Sequence, residues 1–219
     1  MAQATLAGEP RVARGVAGAV RAAGLRLALL VLAGCLWAGG AAANGPSFDC
    51  GKAEPGSVEA LICSDDGLAE LDVRMAEVYA AAARKAVGER PSPLKAEQRG
   101  WIKDRNDCQK SDDRRQCAAD SYRLRIAELQ ARYGLVPAVG TARFTCGDDP
   151  YSDVAATFYP TDPPTLRAVR GRRAAVMYLQ RGGSGARYQG RDVELRERQG
   201  EALITWGPGA PQERCAKAP

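Results

Sequence analysis

Seven cysteines and no histidine, in a chain of 219 residues, constrain this fold more than any other feature. Cys35 lies in an N-terminal segment with the marks of export, and setting it aside leaves Cys50, Cys63, Cys108, Cys117, Cys146 and Cys215. An even set in a compartment where disulfides persist points to three structural bridges. Metal binding is the rival reading, but no CxxC pair occurs and no imidazole is present, so neither a metal nor a cofactor is expected.

Residues 1–43 read as a signal peptide. Arg11, Arg14, Arg21 and Arg26 precede Leu27-Ala28-Leu29-Leu30-Val31-Leu32-Ala33, a stretch too short to span a bilayer comfortably and followed by small residues. Two processing sites compete. Leu32-Ala33-Gly34-Cys35 has the form of a bacterial lipobox, in which Cys35 would be lipidated, whereas Ala41-Ala42-Ala43 before Asn44 fits ordinary cleavage. The first leaves a membrane-anchored lipoprotein and the second a periplasmic or secreted chain.

The formal net charge of +5 is largely a property of that segment, which holds four Arg and one Glu. The rest of the chain carries only about +2, far from the basic stripe a nucleic-acid binder needs, so nucleic acid is excluded as a partner. No membrane contact is expected beyond an anchor at Cys35.

Two modules are expected, at 44–136 and 141–219. From Ser57 to Tyr133 the periodicity is helical: Leu68, Leu71, Met75, Val78 and Ala82 form one apolar stripe that Asp65 or Asp66 could cap. Further stripes run through Leu94, Gln98, Trp101, Ile102 and Arg105, and through Ala118, Tyr122, Ile126, Leu129 and Tyr133. The result is an all-α bundle stapled by disulfides. Local pairing of Cys50 with Cys63 and of Cys108 with Cys117 is expected, although four cysteines allow three pairings and sequence alone does not choose.

After a Gly/Pro linker the pattern becomes extended. Runs at 143–146, 154–159, 165–169, 174–179, 193–195 and 202–206 are β-rich and punctuated by Gly, Pro and Asp, the pattern of an antiparallel meander or small barrel. Cys146 and Cys215 would join its first and last strands.

Catalysis finds little support. Without histidine Ser184 has no triad base, and the glycines around it lack the Lys-Ser/Thr signature of a phosphate loop. The carboxylate pairs Asp65-Asp66, Asp112-Asp113 and Asp148-Asp149 lie where capping and turn roles dominate. Gly182-Gly183-Ser184-Gly185 instead offers a slim turn able to approach another surface, with Tyr188 as a stiff anchor and Arg187, Arg191 and Arg198 as cations.

Phe144-Thr145-Cys146, Ser184-Gly185-Ala186-Arg187-Tyr188, Gly200-Glu201-Ala202-Leu203 and Cys215 together resemble the MliC/PliC family of inhibitors of c-type lysozyme, over about residues 141–217. The resemblance implies a small eight-stranded antiparallel barrel whose Ser-Gly-x-x-Tyr loop enters the lysozyme cleft. It gives Ser184 a hydrogen bond to a catalytic carboxylate and Tyr188 a supporting role beside Gly185. The second family element, Phe-Trp-x-Lys-Gly-x-Glu-Ala, falls on 195–202, so Arg198 stands at the lysine position, while the Phe-Trp pair and the glycine after the lysine are absent.

Phe48-Asp49-Cys50, Val58-Glu59-Ala60-Leu61-Ile62-Cys63, Gln98-Arg99-Gly100-Trp101, Arg105-Asn106-Asp107-Cys108, Cys117 and Tyr122-Arg123-Leu124-Arg125-Ile126 resemble the LprI-like domain, over about residues 47–133. Packing is the expected role of Trp101. The expectation is thus a non-catalytic, exported bacterial protein that binds and inhibits c-type lysozyme; the alternative is an envelope-binding or structural module without inhibition.

Overall fold

The computed structural model describes residues 45–88, 93–182 and 185–218. The expected signal segment, the lipobox with Cys35, and Ser184 lie outside the described residues.

Four helices come first: α1 (Val58–Ser64), α2 (Asp66–Lys85), α3 (Leu94–Asn106) and α4 (Arg114–Arg132). The three stripes mark α2, α3 and α4, whereas α1 has seven residues and is too short to display a stripe of its own. Side chains cap three of the starts. Ser57 Oγ accepts from the Ala60 amide, an Asp65 oxygen from Leu68, and an Asp113 oxygen from Gln116. Each satisfies an amide that the helix itself leaves without a partner.

Ile62, Leu68, Met75, Tyr122 and Leu129 fill the helical core. Through it runs a polar chain. Asp72 accepts from Ser47 N at 2.7 Å and from Tyr122 Oη at 2.7 Å, and Tyr122 Oη in turn accepts from Arg105 Nη1 at 2.7 Å. Arg105 Nη2 reaches Glu59 at 3.1 Å and shares the Asn106 side chain with Nε. Asp72 and Arg105 are 6% and 4% exposed, so both charges depend on these partners. Burial raises the Tyr122 pKa, keeping the hydroxyl protonated as the link between them.

The second half is a closed antiparallel barrel, with each strand beside the next in sequence: β1 (Gly140–Thr145), β2 (Val154–Tyr159), β3 (Thr165–Arg170), β4 (Arg173–Gln180), β5 (Ala186–Gln189), β6 (Val193–Arg198), β7 (Glu201–Trp206) and β8 (Gln212–Lys217). Alternation sends Leu166 and Ala168 of β3, Leu195 of β6, and Ala202 and Ile204 of β7 into one core. Six strands carry the extended runs expected from sequence, with β1 ending at Thr145, one residue short of the end of the run at 143–146. β5 and β8 are additional, and β8 buries only Cys215.

Among the described residues three bridges are formed, Cys50–Cys63, Cys108–Cys117 and Cys146–Cys215, across sequence separations of 13, 9 and 69 residues. In the chain-entropy view the long one stabilises by about 4 kcal/mol and each short one by about 3. α4 packs on the outer face of β3 and β4, and Tyr178 Oη of β4 donates to the Leu124 carbonyl at 3.2 Å.

Candidate functional site

One rim of the barrel brings together two of the residues expected from sequence, Gly185 and Arg198. The loop from β4 to β5 and the turn from β6 to β7 lie at the same end, because Gln180 pairs with Arg187, Ala186 with Glu197, and Arg198 with Glu201. Gly185 ends the first of these connections at φ +91°, where a Cβ would collide with the Glu197 carbonyl oxygen and lie 3.8 Å from Arg198 Cβ. Both the left-handed backbone and the close approach require glycine. Its function here is to hold the loop against the strand that carries Arg198.

Arg198 is exposed at the end of β6 and has no hydrogen-bond or ion-pair partner among the described residues. The nearby carboxylates do not compensate it. Glu197 takes Lys217 Nζ at 2.7 Å, and Glu201 takes Arg214 at 3.1 Å. Arg181, exposed at the start of the loop, also lacks a partner among the described residues. No motif singles out Arg181, and its place immediately before Gly182-Gly183 is the one signal of it that the sequence carries.

Tyr188 points inward. It is 8% exposed, lies between Leu179 and Leu195 in the register, and meets Phe158 edge-on with 5.7 Å between ring centroids. Burial first, and Glu197 second, push its pKa up, so the phenol stays neutral. Its ring belongs to the barrel core, on the strand that follows Gly185.

The other cations separate from the rim. Arg187 is held by Glu194 through Nε at 2.9 Å and Nη2 at 3.0 Å, so its charge is matched within the protein. Arg191 lies in the turn from β5 to β6, at the opposite end of these strands. Of the three arginines read as available cations, only Arg198 is both free among the described residues and at this rim.

The turn itself departs from the family pattern. Gln199 has φ +52° and Gly200 φ +84°. Gln199 occupies the place where the family element has glycine, and it adopts the left-handed conformation that glycine favours. The hairpin therefore holds a non-glycine residue in a backbone conformation poorly suited to it.

Family comparisons agree with this architecture. Residues 50–129 match the model described as "Lysozyme inhibitor LprI", and residues 144–213 match "Membrane-bound lysozyme-inhibitor of c-type lysozyme", MliC. Proteins named "Lipoprotein LprI" from Mycobacterium bovis and Mycobacterium tuberculosis are 32% identical over 165 residues, covering 73% of this chain and 79% of theirs. The chain belongs to the LprI family. Its MliC domain comes after the LprI domain in sequence, and the junction falls between α4 and β1. No solved structure matches the chain. No helix among the described residues is long and apolar enough to cross a membrane.

Proposed function

We propose that this LprI-family protein is an exported, non-catalytic inhibitor of c-type lysozyme, and that residues 141–219 carry the inhibitory surface. The connection from β4 to β5, whose sequence includes Ser184, enters the lysozyme cleft, while Arg198 approaches the same cleft from the adjacent hairpin. A retaining glycosidase presents two carboxylates about 5 Å apart. A hydroxyl and an unmatched guanidinium complement such a pair through charge-assisted hydrogen bonds. The observation that carries this reading is the packing of Gly185 against the Glu197 carbonyl beside Arg198, which joins the two family elements at one rim. Arg181 adds a second unmatched cation at that rim.

Inhibition on this reading is steric and electrostatic, with no turnover. The relatives' name and the sequence at Leu32-Ala33-Gly34-Cys35 favour export with a lipid anchor at Cys35 as one of two processing routes, and mass spectrometry of the mature N-terminus distinguishes them.

Inhibition constants from a cell-wall turbidity assay test the rim. Ser184→Ala and Arg198→Ala should each weaken inhibition by at least about tenfold, in line with truncating one side of a buried charged contact. Arg172→Ala, in the exposed turn between β3 and β4, should change little. If Ser184→Ala and Arg198→Ala inhibit as well as the parent protein, the rim is not the inhibitory surface.

A further inference from the structure

A second site lies where the helices meet the barrel. α3 and α4 face the outer surface of β3 and β4 across a cleft of about 960 Å³, a size suited to small ligands. Arg167 pairs directly with Val176, and Tyr178 comes two residues later on β4, so all three leave one face of the sheet and line this cleft. Trp101 and Asp104 of α3, Arg125 of α4, and Arg191 complete the part of the wall that matters here.

The charges on that wall do not cancel. Arg125, Arg132, Arg167 and Arg191 face Glu97, Asp104 and Glu128, leaving one positive charge in excess. Glu97 is already matched by Arg132 at 2.6 Å, and Glu128 by Arg125 Nη1 at 2.8 Å. Arg125 is only 5% exposed, and while its Nε donates to Gln98, its Nη2 has no hydrogen-bond partner among the described residues. A buried N–H of a cation left in this way is costly unless something else accepts from it. Arg167 and Arg191 have no partner among the described residues either. The lining thus combines one unsatisfied N–H on the Glu128-paired Arg125 with two guanidiniums, Arg167 and Arg191, that have no partner among the described residues.

The remaining groups define what else a ligand must offer. Asp104 has no side-chain partner among the described residues and can only accept, which calls for hydroxyl donors. Trp101 Nε1 is committed to the Ser121 carbonyl at 3.3 Å, so the indole offers the cleft its apolar carbons, a surface suited to the C–H face of a sugar ring.

We propose that this cleft binds a hydroxylated monocarboxylate of the sugar-acid class, its carboxylate held by Arg125, Arg167 and Arg191 and its hydroxyls by Asp104. The planar, forked guanidinium suits a carboxylate, and a single excess charge suits a monoanion. This site is separate from the rim and does not depend on the lysozyme reading.

Calorimetric titration of the exported protein with glucuronate, and with glucose as its neutral counterpart, tests the assignment. Glucuronate should bind at least about tenfold more tightly than glucose, and Arg167→Ala and Arg191→Ala should each weaken it by about tenfold. Arg172→Ala should leave glucuronate binding unchanged, and Arg167→Ala should leave lysozyme inhibition unchanged. Equal affinity for the two sugars, no glucuronate binding at about 10 mM, or undiminished binding in both cleft variants would each overturn the proposal.

Discussion

The helical layer and the barrel use their family residues in opposite ways. In the helices, Trp101, Arg105 and Tyr122 face one another inside: Trp101 meets Tyr122 edge-on, and the Arg105 guanidinium lies 5.6 Å from the Trp101 centroid. In the barrel, the elements divide between the core, where Tyr188 sits, and the rim, where Arg198 has no partner among the described residues. These helical residues meet in an interior, whereas those of the barrel are shared between its core and its rim. Residues alike in sequence prominence differ in what their removal should cost.

The largest effect separating the halves should come from Arg105→Leu. It leaves Asp72 as a buried carboxylate with only neutral donors and removes the charge facing Glu59, which should cost about 3–5 kcal/mol. Urea unfolding measures this directly. Arg198→Ala, by contrast, should stay within about 0.5 kcal/mol of the parent, as expected of an exposed residue without partners. Similar losses for the two variants would erase the distinction between interior and rim.

A smaller effect sharpens the account of the helices. Asp65 caps α2 and accepts from Arg115 Nε at 2.6 Å, and these contacts hold its carboxyl below the usual range, the Arg115 hydrogen bond most of all. Asp65→Ala should cost about 1 kcal/mol at neutral pH, as expected for loss of a cap. The lowered pKa fixes the sign of the pH dependence. The contribution is present above the unfolded carboxylate value of about 3.9 and is lost as pH falls through the folded one, so parent and variant should converge in acid. A gap that stays constant down to about pH 2 would mean that ionisation of Asp65 contributes nothing.

The smallest effect belongs to the rim. Gln199→Gly relieves a left-handed backbone that costs an L-residue about 1–2 kcal/mol, offset by about 0.4–1 kcal/mol of added chain entropy in the unfolded state. A net gain of about 0.5 kcal/mol should appear as a raised unfolding midpoint. Destabilisation would show that the Gln199 side chain makes the turn rather than merely tolerating it.

Much of this organisation is legible in the chain. Leu68, Met75 and Ala82 announce α2 because one buried face imposes the helical repeat on a long element. β5 and β8 escape the same kind of reading for an equally physical reason. Within a closed barrel a strand can be held by ladders on both sides, so Ala186–Gln189 and Gln212–Lys217 need few apolar residues to persist. The Gly185 and Arg198 elements are visible as motifs, whereas their proximity depends on strand register. As cations near the Gly-rich turn, Arg187, Arg191 and Arg198 read alike; the family element singles out Arg198, and pairing with Glu194 and placement in the far turn take the other two from the rim. The cleft between the layers is formed by residues from distant parts of the chain, which no local pattern brings together.

The seam that closes the barrel is its narrowest join, with only Phe144 facing Lys217 and Thr145 facing Ala216. Were it to part, two strand edges would offer unpaired amides and carbonyls to any neighbouring chain, the route by which β proteins polymerise. The Cys146–Cys215 bridge spans this seam, tying the residue just after β1 to the interior of β8. Its consequence reaches beyond the stability of one molecule: it holds these two strand edges to each other and so withholds them from a second copy.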